Sequence, residues 1–236
     1  MVGLEVSSNI AGNMSRATRK TLKYLAYSPF VHYMFYPNSA ICNMSEQLLL
    51  PGFECSSAVD FLFFALLVNA ENTSQIVQLR ERLCDENGLR GQRVAADLLH
   101  ITLHGIGAYD GLPGAVVERA KEAGAAISAK PFDLVLDRAT SFDRKRAGRP
   151  FVLCATNELA LITFYQLLGR AMKNAGFRKI ASRFRPHLTL LYGDHMVAER
   201  SIEAFRWKVR DFVLVQSLRG RGQSKYIHLA RWPLRG

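Results

Sequence analysis

The chain has 236 residues, of which 49% are hydrophobic and 22% are charged, and this composition excludes a fibrous or intrinsically disordered protein. Its formal net charge of +11 favours a polyanionic partner such as nucleic acid. The apolar run Phe61 to Val68 ends after eight residues, far short of the ~18 that a membrane span needs. We therefore expect a soluble globular protein with no membrane contact.

The cysteines are widely spaced along the chain. Cys42, Cys55, Cys84 and Cys154 form no Cys-x-x-Cys pair, so the sequence indicates neither a zinc site nor a redox dithiol. Reduced thiols in a cytoplasmic protein are the simplest explanation.

Residues 1–50 are expected to be an N-terminal extension of a domain formed by residues 51–236. Residues 1–43 mix Asn, Ser and aromatic residues without a steady period, and Pro29 interrupts their mildly apolar stretch. Three explanations stay open. The extension is poorly ordered, or translation starts at Met44, or residues 1–43 hold a targeting segment, although Lys23 and Pro29 spoil its apolar core.

The domain begins with a predicted apolar strand from Val59 to Leu67 and a helix from about Ser74 to Asn87 that ends at Gly88. A strand near Leu98 to Gly105 and a helix from Gly114 to Ile127 follow. The remaining predictions are a strand at 132–136, its hairpin partner at 151–155, a helix at 158–175 capped by Asn157, and strands at 187–192, 212–218 and 226–232. This order predicts an α+β fold.

A short internal repeat is the most informative feature of the sequence. The segment Leu99-His100-Ile101-Thr102-Leu103 recurs 87 residues later as Pro186-His187-Leu188-Thr189-Leu190. Side chains of a strand alternate between two faces, so His and Thr of each copy share one face and the apolar residues share the other.

If the two strands lie side by side, two imidazoles and two hydroxyls converge on one cleft. Hydrolysis of a cyclic phosphodiester needs one group to take a proton from water and another to protonate the leaving oxygen. His100 and His187 can fill both roles because imidazole titrates near pH 6.5. Thr102 and Thr189 would donate hydrogen bonds to the phosphate oxygens.

Other interpretations of these histidines are weaker. A lone strand histidine is usually structural, but the duplicated motif favours a functional pair. Neither copy has a carboxylate or Cys at ligand spacing, so we expect no metal site and no cofactor. We expect His32, His104, His195 and His228 to be structural or at the surface, with His104 on the face of Thr102 and bordering the cleft.

The paired His-x-Thr motifs resemble those of the 2H phosphoesterase superfamily, and in particular its bacterial RNA 2′,3′-cyclic phosphodiesterases, also called the 2′-5′ RNA ligase family. The resemblance extends from about Phe61 to Leu234. It implies a bilobal fold of two pseudo-symmetric antiparallel sheets, flanked by helices around a central cleft.

The same resemblance implies a function for the chain. It implies hydrolysis of RNA 2′,3′-cyclic phosphate ends without metal, with tRNA fragments as possible substrates, and a weak reversible 2′-5′ ligation in some members. It also implies that His100 is the acid and His187 the base, although the pseudo-symmetry leaves these roles exchangeable. We expect a monomer.

The sequence departs from the family after the second motif. Many relatives place an Arg there that holds substrate, whereas this chain has Leu191-Tyr192-Gly193. Tyr192 can stack on a base or donate a hydrogen bond, but it cannot neutralise phosphate charge. Arg149, Arg183 and Arg185 are candidate replacements. The departure bears on substrate choice and ligase activity more than on hydrolysis.

Two alternatives remain open from the sequence. The first is a 2H phosphoesterase acting on another diester, such as ADP-ribose 1″,2″-cyclic phosphate or 2′-5′ oligoadenylate. The second is a non-catalytic RNA-binding module that keeps the cleft and the basic surface. Turnover of a substrate panel distinguishes the first, and RNA binding without turnover marks the second.

Overall fold

A computed structural model of the chain describes residues 59–143, 148–220 and 223–235. Within them lie nine strands, three helices and a 3₁₀ turn at Ala96–Leu98. The strands are β1 Val59–Leu67, β2 Gly91–Arg93, β3 His100–Tyr109, β4 Phe132–Ser141, β5 Arg149–Cys154, β6 Leu188–Gly193, β7 Arg200–Val209, β8 Asp211–Gly220 and β9 Gln223–Pro233. The helices are α1 Ala70–Asn87, α2 Gly114–Ala125 and α3 Leu159–Asn174.

These elements confirm the predicted α+β class. The extension predicted for residues 1–50 lies outside the described residues. So do residues 144–147, between the predicted hairpin strands, and residues 221–222, between the last two predicted strands. Within the described ranges, no helix is long and apolar enough to span a membrane.

Local signals explain where α1 begins and ends. Asn69 caps it by accepting a hydrogen bond from the Asn72 amide at 3.0 Å, so the helix starts about one turn before the predicted Ser74. At the other end Gly88 takes a left-handed φ of 62°, a conformation that suits glycine. The N-cap of α3 is Glu158, one residue after the predicted Asn157, whose Oδ1 accepts from the amide of Leu159 at 3.2 Å.

The strand β7 was not predicted from the sequence. Its second half alternates as a strand should, with Phe205, Trp207 and Val209 buried against β4. Its first half is mostly polar and exposed, which hid the period-2 pattern.

The strands form one antiparallel sheet in the order β7-β4-β5-β6-β3-β1-β8-β9, with β2 paired to β6. The two sheets that the resemblance implied are the two halves of this arrangement. Among the described residues, one pair, Ile101 with Leu188, joins β3 of one half to β6 of the other. The unit β1-α1-β3 of one half is repeated by β5-α3-β6 of the other.

The three helices cover one face of the sheet, and the main hydrophobic core lies between the helices and that face. Phe64 and Leu66 of β1, and Phe151 and Leu153 of β5, point into this core and are fully buried. A smaller cluster lies on the opposite face of the sheet, formed by Phe61, Phe63, Ala65, Val213 and Val215.

His104 lies in the main core, so the expectation that it borders the cleft is wrong. Thr102 pairs with Ala65, and Gly105 pairs with Phe63. Between these two pairs β3 advances by three residues and β1 by only two, so β3 has one extra residue. This β-bulge turns His104 toward the helices. Its ring is 2% exposed and stacks on Tyr165 at a centroid distance of 3.8 Å, while Nε2–H donates to the Tyr165 carbonyl at 2.8 Å.

Burial lowers the pKa of His104 to about 4, so stability should depend on pH. Between about pH 6.5 and pH 4, His104 is protonated in the unfolded chain but stays neutral in the folded chain. The free energy of unfolding therefore falls as the pH falls. The full loss is about 3 kcal/mol from this residue. His104→Gln keeps a donor for the Tyr165 carbonyl but cannot titrate, so we expect it to lose less stability on acidification.

Urea unfolding at about pH 7 and about pH 4.5 measures the difference. His228→Gln, at an exposed position, is the matched control and should keep the steeper dependence of the parent protein. Equal acid sensitivity of the parent and His104→Gln would contradict the prediction.

Candidate functional site

The register of β3 and β6 brings the two motifs together. Because Ile101 pairs with Leu188 in an antiparallel ladder, the neighbouring positions place His100 beside Thr189 and Thr102 beside His187. Ile101 and Leu188 point into the main core, so the His and Thr side chains of both copies lie on the opposite face. The two imidazoles are diagonal neighbours on that face.

Both histidines are oriented by the same backbone hydrogen bond. The Nδ1 of His100 lies 2.7 Å from the carbonyl oxygen of Leu98, and the Nδ1 of His187 lies 2.7 Å from that of Arg185. A carbonyl oxygen only accepts, so Nδ1 carries the hydrogen in each ring. This leaves Nε2 of each ring to gain or lose the proton.

A hydroxyl lies next to the reactive nitrogen of His100. Nε2 of His100 is 3.1 Å from Oγ1 of Thr102. When the ring is neutral, Nε2 accepts from the Thr102 hydroxyl. When the ring is charged, Nε2–H donates to Oγ1, which frees the hydroxyl hydrogen for an external anion. Protonation of His100 and binding of an anion at Thr102 therefore favour each other.

The surroundings of His100 keep it neutral. Desolvation lowers the pKa of His100 to about 4, the hydrogen bond to Leu98 opposes this effect, and the charge of His187 lowers the pKa further. A bound anion would counter both lowering effects.

Aromatic rings surround both imidazoles. The ring centroids of Phe63 and Tyr226 each lie 5.4 Å from that of His100. On the other side, the ring of Phe142 meets His187 edge to face at 5.0 Å. The three rings limit the access of water to the imidazoles, and the two partly exposed ones, Tyr226 and Phe142, offer flat surfaces to a planar ligand.

The repeat extends to the backbone, because β6 also has a bulge after its motif. Val152 pairs with Thr189 and Phe151 with Leu191, so Leu190 is the extra residue. Leu190 and Leu191 both point into the main core, as Leu103 and His104 do in the first copy. Each motif is thus followed by a bulge at the same offset.

Tyr192 returns to the face of Thr189 after this bulge. It pairs with Pro150 and Gln92, about 10 Å beyond Thr189 along β6, and it is partly exposed. This is the position where the resemblance implied an Arg.

Of the arginines proposed from the sequence, Arg185 lies beside the motifs and Arg149 does not. Arg185 lies next to His187, with its guanidinium 4.0 Å above the ring of Phe142, a cation–π contact. Arg149 pairs with Gly193 at the start of β5, on the face of Phe151, and its guanidinium donates to the carbonyl of Asp194 at 2.9 Å. Arg149 is therefore not brought together with the motifs.

Sequence reasoning missed Phe142, Phe63 and Tyr226. Phe63 lies in a run that is apolar at every position, so alternation did not show which face meets the cleft. Phe142 follows the end of β4, and no periodic pattern marks it.

The residues that the structure describes hold no group of three or more His, Cys, Asp or Glu that could bind a metal ion. Cys84 and Cys154 are buried free thiols, and burial raises the pKa of Cys154 to about 11. What the site offers is two imidazoles and two hydroxyls on one face of the sheet, and these groups can hydrogen-bond the oxygens of a tetrahedral anion.

Comparisons with known proteins give relatives of this chain. A family model described as the 2′-5′ RNA ligase superfamily matches residues 69–221. The RNA 2′,3′-cyclic phosphodiesterase of Escherichia coli (strain K12) is 31% identical over 176 residues, which are 73% of this chain and 96% of that protein.

Two solved structures show the same fold. The apo crystal structure of E. coli LigT matches with a TM-score of 0.61 and 30% identity, over 76% of this chain and 100% of that one. E. coli LigT complexed with 3′-AMP matches with a TM-score of 0.62 and 29% identity, over 75% of this chain and 99% of that one. The predicted bilobal architecture is thereby confirmed.

The role of Thr102 can be tested with inorganic phosphate as the probe. Thr102→Val removes the hydroxyl but keeps the shape, and we expect phosphate affinity to fall about 10- to 100-fold, since a hydrogen bond to a charged group contributes about 1.5–3 kcal/mol. Isothermal titration at neutral pH measures it. Thr163→Val, at an exposed position of α3, is the matched control. Unchanged phosphate binding by Thr102→Val would remove Thr102 from the anion site.

Proposed function

Because the chain belongs to the 2′-5′ RNA ligase superfamily, we propose that it hydrolyses the 2′,3′-cyclic phosphate at RNA 3′ ends to a 2′-phosphomonoester, without a metal or cofactor. One observation carries the proposal: the Ile101–Leu188 pairing gathers His100, Thr102, His187 and Thr189 on one face of the sheet. The E. coli relative named RNA 2′,3′-cyclic phosphodiesterase supports this choice of substrate.

The reaction needs two proton transfers, and the two Nε2 atoms can perform them. One neutral Nε2 removes a proton from water as the water oxygen attacks phosphorus. The other, protonated Nε2 gives its proton to O3′ of the ribose as the P–O3′ bond breaks. The product is a 2′-phosphate and a free 3′-hydroxyl, and a proton exchange with solvent resets the pair.

Phosphate binding would prepare His100 for this chemistry. The pKa of about 4 makes its free ring neutral at neutral pH. A phosphate that accepts from the Thr102 hydroxyl favours Nε2–H on His100, so the substrate promotes its own protonation by this ring. We follow the family in taking His100 as the acid and His187 as the base, with Thr189 holding a second phosphate oxygen.

The neighbouring side chains suggest how the nucleotide is held. The partly exposed Tyr226 and Tyr192 rings can stack on a base, since every base has a π-face. Arg185 lies beside His187 and can neutralise phosphate charge, which Tyr192 cannot. We propose that tRNA fragments are among the substrates, that reversible 2′-5′ ligation is the weaker activity because Tyr192 replaces the family Arg, and that the protein acts as a cytoplasmic monomer.

Removing either imidazole should abolish hydrolysis. His100→Ala and His187→Ala should each lower kcat on a nucleoside 2′,3′-cyclic phosphate by about 10²- to 10⁴-fold, because each contributes general acid or base catalysis. RNA affinity and thermal stability should stay near those of the parent. His195→Ala, at an exposed position, is the matched control, and EDTA should leave the rate unchanged.

The substrate panel decides between this function and its alternatives. It adds ADP-ribose 1″,2″-cyclic phosphate and 2′-5′ oligoadenylate to the nucleotides. Preference for either addition would reassign the substrate, and salt-sensitive RNA binding by a parent that turns over nothing would indicate a non-catalytic module.

The pH profile should report the low pKa of His100. In kcat/KM, which reflects the free enzyme, we expect the ascending limb near pH 4, because below it both rings are protonated and no base remains. In kcat, which reflects the complex, the limb should lie at higher pH, since the bound phosphate raises the pKa of His100. Both bells have the same shape under either assignment of acid and base.

Initial rates over a pH series give both profiles. Samples held at each pH and assayed near neutrality verify that acid has not unfolded the protein. Ascending limbs that coincide in kcat and kcat/KM, or an ascending kcat/KM limb near the ordinary histidine pKa of about 6.5, would contradict the prediction.

A further inference from the structure

The stretch from Leu159 to Gly193 contains no Asp or Glu. It carries six basic residues, which are Arg170, Lys173, Arg178, Lys179, Arg183 and Arg185. Four of them fall within residues 177–186, a segment that we name the basic strap and that connects α3 to β6. No carboxylate within the stretch can offset this charge.

Apolar side chains hold the basic strap against α3. Phe177 and Ile180 pack at the edge of the main core, and the Phe177 amide donates to the Met172 carbonyl at 3.0 Å. Phe184 stacks on Tyr165 of α3 at 4.0 Å with the rings nearly parallel. The Tyr165 hydroxyl also donates to the Ala181 carbonyl.

The basic residues of the strap face solvent. Arg178, Lys179, Arg183 and Arg185 are all exposed, between the apolar anchors that point inward. Within residues 59–143, 148–220 and 223–235, none of the ion pairs involves Arg170, Lys173, Arg178 or Lys179. By contrast, Arg82, Arg93, Arg138, Arg200 and Arg231 are each paired with a carboxylate.

The strap leads directly into the motif face. Its Arg185 carbonyl accepts the hydrogen bond that orients His187, and the Arg185 guanidinium stacks on Phe142 beside the same ring. A row of cations therefore ends where the terminal phosphate would bind.

We propose that the basic strap binds the phosphodiester backbone of the RNA strand that precedes the cyclic phosphate, an inference that rests on the proposed function. Cations fixed on a backbone segment neutralise successive phosphates without reading the bases. A substrate with a chain of phosphates gains from the strap, whereas a mononucleotide reaches only the motif face. The strap thus makes the protein prefer RNA ends to free cyclic nucleotides.

The test compares two substrates and two matched double variants. Arg178→Gln with Lys179→Gln removes two strap charges, and Arg206→Gln with Lys208→Gln removes the same two residue types from exposed positions of β7. The substrates are an RNA oligonucleotide ending in a 2′,3′-cyclic phosphate and a nucleoside 2′,3′-cyclic phosphate. Rates are measured over a range of salt concentrations.

We expect the strap variant to lose on the order of tenfold in kcat/KM on the oligonucleotide at low salt, with a shallower salt dependence, by about 0.7 in the log–log slope for each lost phosphate contact. Its activity on the nucleoside cyclic phosphate should not change. The β7 variant should match the parent on both substrates.

Equal oligonucleotide activity of the strap and β7 variants would overturn the proposal, and so would a strap variant that loses both substrates equally. If the parent hydrolyses neither substrate, the proposed function fails. In that case the binding of an RNA oligonucleotide ending in a 3′-phosphate, measured by fluorescence anisotropy, still tests the strap. Weaker binding by the strap variant alone would support it, and equal binding by all three proteins would overturn it.

Discussion

The antiparallel contact between β3 and β6 is the constraint on which the site depends. Among the described residues the two halves of the sheet share one ladder pair, Ile101 with Leu188. Because side chains of a strand alternate, a slip of one residue in this register would turn one motif toward the helices and leave the other alone on the opposite face. Burial of Ile101 and Leu188 in the main core fixes the register.

The same apolar anchoring sets the electrostatics of the site. His100 is a backbone-oriented imidazole among aromatic rings, and desolvation lowers its pKa to about 4. The free site therefore resists holding two positive charges side by side. A bound anion would offset this positive charge and would also accept the hydrogen bond of the Thr102 hydroxyl in place of Nε2. Both effects would favour protonation of His100.

Positive charge is distributed unevenly around this face. The position that the family gives to an Arg holds Tyr192, while Arg185 lies on the other side of His187, stacked on Phe142. Beyond Arg185 the basic strap continues the positive charge along α3. We propose that the anion-binding charge of this chain lies on the segment that precedes β6 rather than at the end of β6.

The sequence by itself determined the duplicated motif, the alternation that puts His and Thr on one face, the bounds of β1 and the Gly88 cap that ends α1, because these depend on a few neighbouring residues. Tertiary structure alone decided the β3–β6 register, the bulge that buries His104, the pKa of His100 and the separation of Arg185 from Arg149. Each of these arises from partners distant in the chain, and local periodicity carries no information about which strand lies alongside another. The strand β7 was missed for the same reason, since only its contact with β4 distinguishes its polar half from a loop.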